Sequence, residues 1–267
     1  KLVVITLGEN DDAQVIFETL NSKGEPLLAM DLVRNNIFHR AEKQNASVEE
    51  LYKKLWDPLD DPWWREPAPN ARPVRPRIDH FLAHVLVAES GQKISMRELY
   101  AEYRDFAVPK GTPRFENVED ELKLLEHYTP VYRTLEGVEP HGSPALSWLG
   151  CKLSTWQVTT AYPVALQMGD EKLDEGQRQQ VAELIYSYIV RRAICGLTMK
   201  NMNNIFQSLA AHFIGEGVSV SSLQNFFGER KSDSAKFPTD QEFRSGITSG
   251  NAYSIASKPR LVDILWE

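Results

Sequence analysis

The chain has 267 residues, of which 42% are apolar and 25% are charged, a composition typical of globular proteins and unlike that of disordered or fibrous ones. The net charge of −7 excludes a uniformly basic nucleic-acid-binding module, although it allows a local basic patch. No apolar run approaches the roughly 18 residues of a membrane-spanning helix, and the first residues do not resemble a signal peptide. Two cysteines, Cys151 and Cys195, are too few for a disulfide framework or a zinc site. We therefore expect a cytoplasmic protein with no membrane partner and two buried, reduced thiols.

The chain opens on an apolar run at residues 2–7 that predicts a β-strand, and helix signals follow it at once. A strand that opens a domain needs a partner strand, and few later segments are typical of strands. We therefore expect that the chain comes from a longer protein whose preceding part pairs with this strand.

Helix signals dominate the rest of the sequence. An oxygen-bearing residue followed three positions later by Glu or Gln predicts a capped helix start, and this pattern recurs six times. The pairs are Asp11/Gln14, Ser47/Glu50, Ser95/Glu98, Ser154/Gln157, Asp174/Gln177 and Thr239/Glu242. Helix ends are predicted near five glycines, which are Gly24, Gly91, Gly137, Gly196 and Gly215. The fold class expected is mainly α, a bundle of about ten to twelve helices with a short N-terminal β element.

Two apolar stripes with helical spacing predict faces turned to a core. The first runs from Ile78 to Leu86 and the second from Val181 to Ile189. Pro163 is expected to kink a helix or to begin a new one, because it lacks an N–H group and clashes with the preceding turn.

A segment rich in proline and tryptophan interrupts the helical pattern between Pro58 and Pro76. Its prolines exclude a helix by the rules of backbone geometry, and its aromatic residues favour an ordered loop packed on the helices. The sequence therefore predicts three parts, namely an N-terminal piece (1–45), a connector (46–77) and a helical domain (78–267).

The connector also carries a candidate DNA-binding group, because arginines bind phosphates and indole rings stack on bases. The alternative is that these arginines pair with carboxylates of the same stretch, and the proximity of those carboxylates favours pairing. The arginines are Arg65, Arg72, Arg75 and Arg77, beside Trp63 and Trp64, and the nearby acids are Asp57, Asp60, Asp61, Glu66 and Asp79.

Other familiar chemistries are not supported by the sequence. His80 and His84 share a helix face, but the glutamate of the zinc-protease pattern is replaced by Phe81, so a packing role is favoured over a metal site. No phosphate-binding loop and no nucleophile motif occurs. Arg191 and Arg192 follow an apolar helix, where basic residues suit the helix dipole. We therefore predict neither a catalytic residue nor a metal ligand.

The stretch from 11 to 36 is the most informative, because a predicted helix ends in the polar turn Asn21-Ser22-Lys23-Gly24 and a second helix begins near Asp31. By themselves, Asn21 and Ser22 could bind a phosphate or cap the helix. Residues 16–27, with 31–35 after them, resemble the hallmark of the GmrS N-terminal domain family, the NTP-dependent, modification-sensing restriction proteins of the GmrSD type. The resemblance continues through 81–106, 156–166 and 188–197 and covers nearly the whole chain.

The resemblance implies a ParB/sulfiredoxin-like α/β core that binds and hydrolyses NTP with Mg²⁺, then a helical region, then an HNH-type nuclease domain. The Asp-Gly-Gln-Gln-Arg motif of that core is absent here, and no histidine fits the nuclease motif. Residues 1–45 would then be the end of the nucleotide-binding core. The matching positions imply nucleotide-site residues at Phe17, Asn21, Ser22 and Gly24, with Asp31, Arg34 and Asn35 as the next matches.

The function expected is therefore the helical part of a nucleotide-dependent phage-defence protein. It would couple NTP binding and the sensing of modified DNA to a nuclease domain outside this chain, and it would hold no cofactor or catalytic motif of its own. The alternative is a non-catalytic helical module that binds protein or DNA.

Overall fold

The computed structural model describes residues 28–68, 74–170, 172–249 and 257–266. Within these ranges the chain is mainly helical, as predicted, and the extended backbone pairs only at an isolated bridge between Pro67 and Pro76. The predicted strand at 2–7 and the helix after Asp11 lie outside the described residues. The described α-helices are α1 (Ala29–Lys43), α2 (Val48–Leu51), α3 (Pro62–Arg65), α4 (Arg77–Ser90), α5 (Leu99–Ala107), α6 (Val118–Leu135), α7 (Pro144–Trp156), α8 (Tyr162–Gln167), α9 (Glu175–Ile194), α10 (Met202–Glu216), α11 (Val220–Gly228), α12 (Asp240–Ser249) and α13 (Lys258–Trp266).

The two predicted apolar stripes form the centre of the core. In α4 every member of the first stripe is buried, and α4 packs against α5, α8 and α10. In α9 the second stripe is buried except for the partly buried Leu184, and α9 packs against α7, α11 and α12. Helix α6 joins the two groups by contacting both α7 and α8. Helix α1 lies over α4, α5 and α6, and α13 lies over α7.

The helix starts follow the capping predictions in part. Asp174 and Gln177 form a reciprocal capping box at α9, and Thr239 and Glu242 exchange the same bonds at α12. The prediction that a helix starts at Ser154 is wrong, because this residue lies inside α7. The side chains of Ser47 and Ser95 make no capping bond to α2 or α5, and α5 begins only at Leu99.

Glycine ends several helices where a left-handed conformation is needed. Gly91 follows α4 with φ +64°, and its Cα lies so close to α10 that a Cβ would meet the Ala211 side chain at 2.6 Å. Gly137 and Gly196 also have positive φ just beyond α6 and α9. The prediction for Gly215 is wrong, because α10 continues to Glu216 and ends at Gly217 with φ +75°.

The connector packs on the helices as predicted, but the expectation that it contains no helix is wrong. Pro62 occupies the first turn of α3, where an amide N–H would have no partner in any case, and Asp61 accepts from the Trp63 amide. Trp64 is fully buried against Phe81. At Pro163 the chain begins the new helix α8 after a 3-10 turn, in agreement with the prediction.

Three side chains, those of Arg192 and the two cysteines, differ in burial from what the sequence suggested. Arg192, expected to sit at a helix end, is completely buried and donates to three backbone carbonyls, those of Thr198, Asp233 and Lys236. It therefore holds the loop between α11 and α12 against α9. Both cysteines are free, but neither is buried as predicted, because Cys151 is exposed and Cys195 is half-buried.

Candidate functional site

The predicted nucleotide-site residues divide between two parts of the chain. Phe17, Asn21, Ser22 and Gly24 lie outside the described residues. The other three, Asp31, Arg34 and Asn35, lie on the first two turns of α1, close to the point where the described chain begins. Asn35 is exposed, whereas Asp31 and Arg34 are half-buried. The part of the site that the structure describes is therefore the N-terminal end of α1.

Asp31 and Arg34 meet the connector in a cluster of charges, which we call the α1 ion-pair network (Asp31, Arg34, Asp60 and Arg65). Arg34 Nη1 lies 3.4 Å from Asp60 Oδ2, and its Nη2 lies 3.7 Å from Asp31 Oδ1. Arg65 Nη2 lies 3.2 Å from Asp60 Oδ1 and 3.7 Å from Asp31 Oδ1. Two guanidinium groups thus face two carboxylates. The network brings Asp31 and Arg34 of the predicted nucleotide site into contact with Arg65 of the predicted DNA-binding group.

Asp60 is the acceptor at the centre of this network. The Tyr52 hydroxyl donates to Asp60 Oδ2 at 2.5 Å, and this bond, together with burial, raises the pKa of Tyr52 above its ordinary value. Asp60 therefore has three partners on three elements, namely Arg34 on α1, Arg65 on α3 and Tyr52 in the π-helical turn Tyr52–Trp56. Because Asp60 is only 16% exposed, these contacts are weakly screened by solvent. The network therefore joins the start of α1 to the connector.

A second carboxylate, Asp79, links the start of α1 to α4. Asp79 is completely buried, and its two oxygens accept from the Met30 amide at 3.4 Å and from Arg75 Nη1 at 3.2 Å. Burial raises the pKa of Asp79, although the bonds from Arg75 and Met30 oppose that shift. A negative charge at the N-termini of α1 and α4 also suits both helix dipoles. The start of α1 is thus held by polar contacts from two directions.

The described arginines of the candidate DNA-binding segment all contact carboxylates, as pairing within the stretch predicts. Arg65 and Arg75 have the partners given above and remain 40% and 30% exposed. Arg77 is 13% exposed, pairs with Glu66 at 2.7 Å and lies over the Trp63 ring at 4.8 Å. Arg72 lies outside the described residues. Arg65 and Arg75 are therefore the described members of the group with most access to a phosphate.

The histidine pair on α4 lies in an aromatic part of the core. The rings of His80 and His84 are 6.2 Å apart, and His84 also packs against Tyr132 and Tyr162. Burial, with a smaller contribution from the charge of His80, lowers the pKa of His84 to about 3, so its ring is neutral near pH 7. In the described parts of the chain, no three His, Cys, Asp or Glu side chains are grouped to hold a metal ion.

Near the C-terminal end of the described chain, an acidic side chain that the sequence did not single out fixes α13 to α7 and α9. Asp263 accepts from Lys152 Nζ at 2.7 Å, Trp156 Nε1 at 2.8 Å and the Tyr186 hydroxyl at 2.7 Å. Arg260 adds a bond to the Trp156 carbonyl. These contacts join residues 77 to 111 positions apart, so helical periodicity in the sequence cannot predict them. We call them the α13 latch (Lys152, Trp156, Tyr186 and Asp263).

Comparison with known proteins adds no relative to this description. No protein-family model matches the chain, and no curated protein or solved structure matches it significantly. None of the described helices has the length and apolar composition needed to cross a membrane.

Proposed function

We propose that this chain is the helical part of a GmrSD-like, nucleotide-dependent restriction protein of phage defence. In this proposal it couples NTP binding and the sensing of modified DNA to a nuclease domain outside the chain. NTP and Mg²⁺ would bind in the core to which residues 1–45 belong, so α1 is the first described element to respond to the nucleotide. The proposal begins from the resemblance of residues 16–35 to the GmrS family.

The α1 ion-pair network is the observation that carries this proposal. Asp31 and Arg34 belong to the resembling stretch, and both are bonded through charged side chains to the connector. A displacement of α1 would therefore break or rearrange contacts of Asp60 and Arg65, and the connector would have to move with α1. Coupling between distant sites requires contacts that can take more than one arrangement, and in this proposal the network is such a set.

A continuous path of contacts leads away from this network. In the next turns of α1, Arg40 makes a bidentate ion pair with Glu121 of α6 at 2.7 Å, and the Tyr103 hydroxyl donates to the same carboxylate. Helix α6 packs on α7, and α7 carries Lys152 and Trp156 of the α13 latch. The coupling we propose would follow this path from α1 to α13.

A titration calorimetry experiment tests whether the chain holds part of the nucleotide site. The chain is titrated with each NTP in the presence of Mg²⁺, and Asn21→Ala is the comparison variant. Binding that Asn21→Ala abolishes would place part of the site at residues 17–24. Absence of binding would assign the pocket to the preceding core.

The coupling itself is tested on the whole restriction protein. We expect cleavage of modified DNA to require NTP, and we expect Asp60→Asn to weaken this requirement or abolish cleavage. Glu49→Gln is the matched control, because Glu49 pairs with Lys53 on the surface of α2 outside the network. Equal cleavage with and without NTP would contradict the proposal.

Binding of DNA to the connector is a separate part of the proposal, and salt dependence tests it. Neutralisation of a phosphate by an arginine releases a counterion, so replacing one such arginine lowers the slope of log K against log [salt] by roughly one. We expect this change for Arg65→Gln and not for Arg77→Gln, since Arg77 is enclosed by Glu66, Glu136 and Trp63. Binding that does not depend on salt, or no binding, would favour the alternative of a protein-binding module.

A further inference from the structure

A cavity of about 490 Å³ lies between α9, α11, the loop that follows α11 and the first turn of α12. The loop is held against α9, because the Tyr188 hydroxyl donates to the Ala235 carbonyl and Arg192 donates to two further carbonyls of the loop. The walls of the cavity are therefore fixed by the fold itself, and its volume is in the range of small-molecule sites.

The apolar part of the wall is largely aromatic. The ring centroids of Phe227 and Phe237 are 5.4 Å apart, and both rings pack on Tyr188 behind them. Leu223 is buried beside Phe227, and the partly buried Leu184 of α9 completes this side. Contact with such a wall favours a ligand with an apolar ring or chain, because both surfaces are then removed from water.

The charged part of the wall is mainly basic, although the chain as a whole has a net charge of −7. Arg230, Lys231 and Lys236 line the cavity together with one acid, Glu242. Both oxygens of Glu242 already have donors, since Lys236 Nζ bonds to one at 2.7 Å and the amide and hydroxyl of Thr239 bond to the other. The bonds from Lys236 and Thr239 lower the pKa of Glu242 to about 2. A cationic ligand would therefore find no free carboxylate in this wall.

Arg230 and Lys231 are the basic residues that a ligand can engage. Neither forms an ion pair with a carboxylate of the described residues, whereas Lys236 pairs with both Asp233 and Glu242. The guanidinium of Arg230 lies 3.3 Å from the centroid of the Phe226 ring, and its Nη1 donates to the Phe226 carbonyl. Burial lowers the pKa of Arg230, so this half-buried charge is partly desolvated and has no counter-ion. Charges withdrawn from water are normally paired, and an anion would supply the partner.

We propose that this cavity binds a small organic anion in which an apolar ring or chain carries one carboxylate or phosphate group. The apolar body lies against Phe227 and Phe237, and the anionic group bonds to Arg230 and Lys231. Both kinds of anion match the planar fork of a guanidinium. An inorganic anion alone would gain nothing from the aromatic wall. This site goes beyond the proposed coupling function and does not depend on it.

The experiment compares probes that share one ring system and differ in charge. Calorimetry and ligand-observed NMR on the whole chain measure binding of naphthoate, naphthyl phosphate, the neutral naphthalenemethanol and the cationic naphthylmethylammonium, with inorganic phosphate as the anion without a ring. We expect saturable binding of at least one of the two naphthyl anions. Naphthalenemethanol should bind about tenfold more weakly, since it lacks the charge-assisted bond. We expect no binding of the ammonium compound or of inorganic phosphate.

Variants that remove one charge test the two basic residues. Lys231→Gln, at an exposed position, should leave the melting temperature unchanged and reduce the preference for the anion over the alcohol about two- to threefold. Arg230→Gln should nearly abolish this preference while binding of the alcohol remains. Lys200→Gln is the matched control, because Lys200 is also exposed but does not line the cavity. The ratio of the two affinities is measured because a purely structural disturbance would weaken both ligands alike.

Leu184→Ser tests the apolar part of the wall. It should weaken the anion and the alcohol by a similar factor, about fivefold, and its melting temperature is measured alongside. Three results would overturn the proposal. These are no saturation by either naphthyl anion, equal affinity of the wild-type chain for anion and alcohol, or inorganic phosphate binding as tightly as naphthyl phosphate. An unchanged preference in both Arg230→Gln and Lys231→Gln would also contradict it.

Discussion

Asp60 shows how one side chain can set the stability of the α1 end of the molecule. It has three charged or hydroxyl partners from three elements, and only 16% of it is exposed. We expect Asp60→Asn to lower the free energy of unfolding by roughly 1 kcal/mol, since a charge-assisted contact is weakened but the amide can still accept. Urea denaturation measures this change. Glu49→Gln, at an exposed pair, should leave the midpoint unchanged, and an equal loss in both variants would contradict the account.

Arg192 is the residue whose role was least visible in the sequence. Its buried guanidinium donates to three backbone carbonyls, that of Thr198 between α9 and α10 and those of Asp233 and Lys236 between α11 and α12. Arg192→Met would leave these carbonyls unpaired and should cost roughly 2–4 kcal/mol. Arg104→Met is the matched control, because Arg104 is 47% exposed and pairs with the exposed Asp105. Thermal unfolding of the two variants should differ clearly, and similar melting temperatures would be inconsistent with this role.

At the scale of elements, the crossing of α6 and α7 depends on Gly150. A Cβ at this position would lie 2.1 Å from the Leu135 carbonyl oxygen, so the two helices would have to separate. We expect Gly150→Ala to cost roughly 1–3 kcal/mol through overpacking. Gly215→Ala provides the contrast, because Gly215 lies inside α10 with open space around it and should gain about 0.5–1 kcal/mol. Chemical denaturation of both variants tests the pair, and destabilisation by Gly215→Ala would contradict it.

The docking of α13 should depend on pH through Asp263. Burial alone would raise the pKa of Asp263, but bonds from Lys152, Tyr186 and Trp156 lower it below its ordinary value. A carboxylate whose folded pKa is depressed stabilises the structure above its unfolded pKa of about 3.9, and that contribution is lost as the pH falls through the folded value. Amide hydrogen exchange at 258–266 should therefore quicken below pH ~4 relative to the body. In Asp263→Asn the same amides should exchange faster already at pH 7, and unchanged protection in this variant would be inconsistent with the latch.

For the whole molecule, the features that follow helical periodicity could be predicted from the sequence. The stripes of α4 and α9, the capping box at Asp174 and the new helix at Pro163 each depend on residues a few positions apart. The polar contacts that hold the elements together could not be predicted in this way. Arg40 and Glu121 are 81 positions apart, and Lys152 and Asp263 are 111 apart, so only the assembled fold brings them together.

The candidate site, too, could be predicted from the sequence only in part. The sequence singled out Asp31, Arg34 and Arg65, but as members of two sites, and the arrangement around Asp60 that joins them is tertiary.

The central proposal is that NTP binding in the proposed nucleotide core changes α1 and, through it, α13. Hydrogen exchange of the longer protein that this proposal requires, with and without NTP and Mg²⁺, tests it directly at the amides of 29–43 and 258–266. We predict that NTP changes protection in both segments, and that Asp60→Asn retains the change in α1 but reduces it in α13. Nucleotide binding that leaves the protection of α13 unchanged in the wild-type protein would contradict the account.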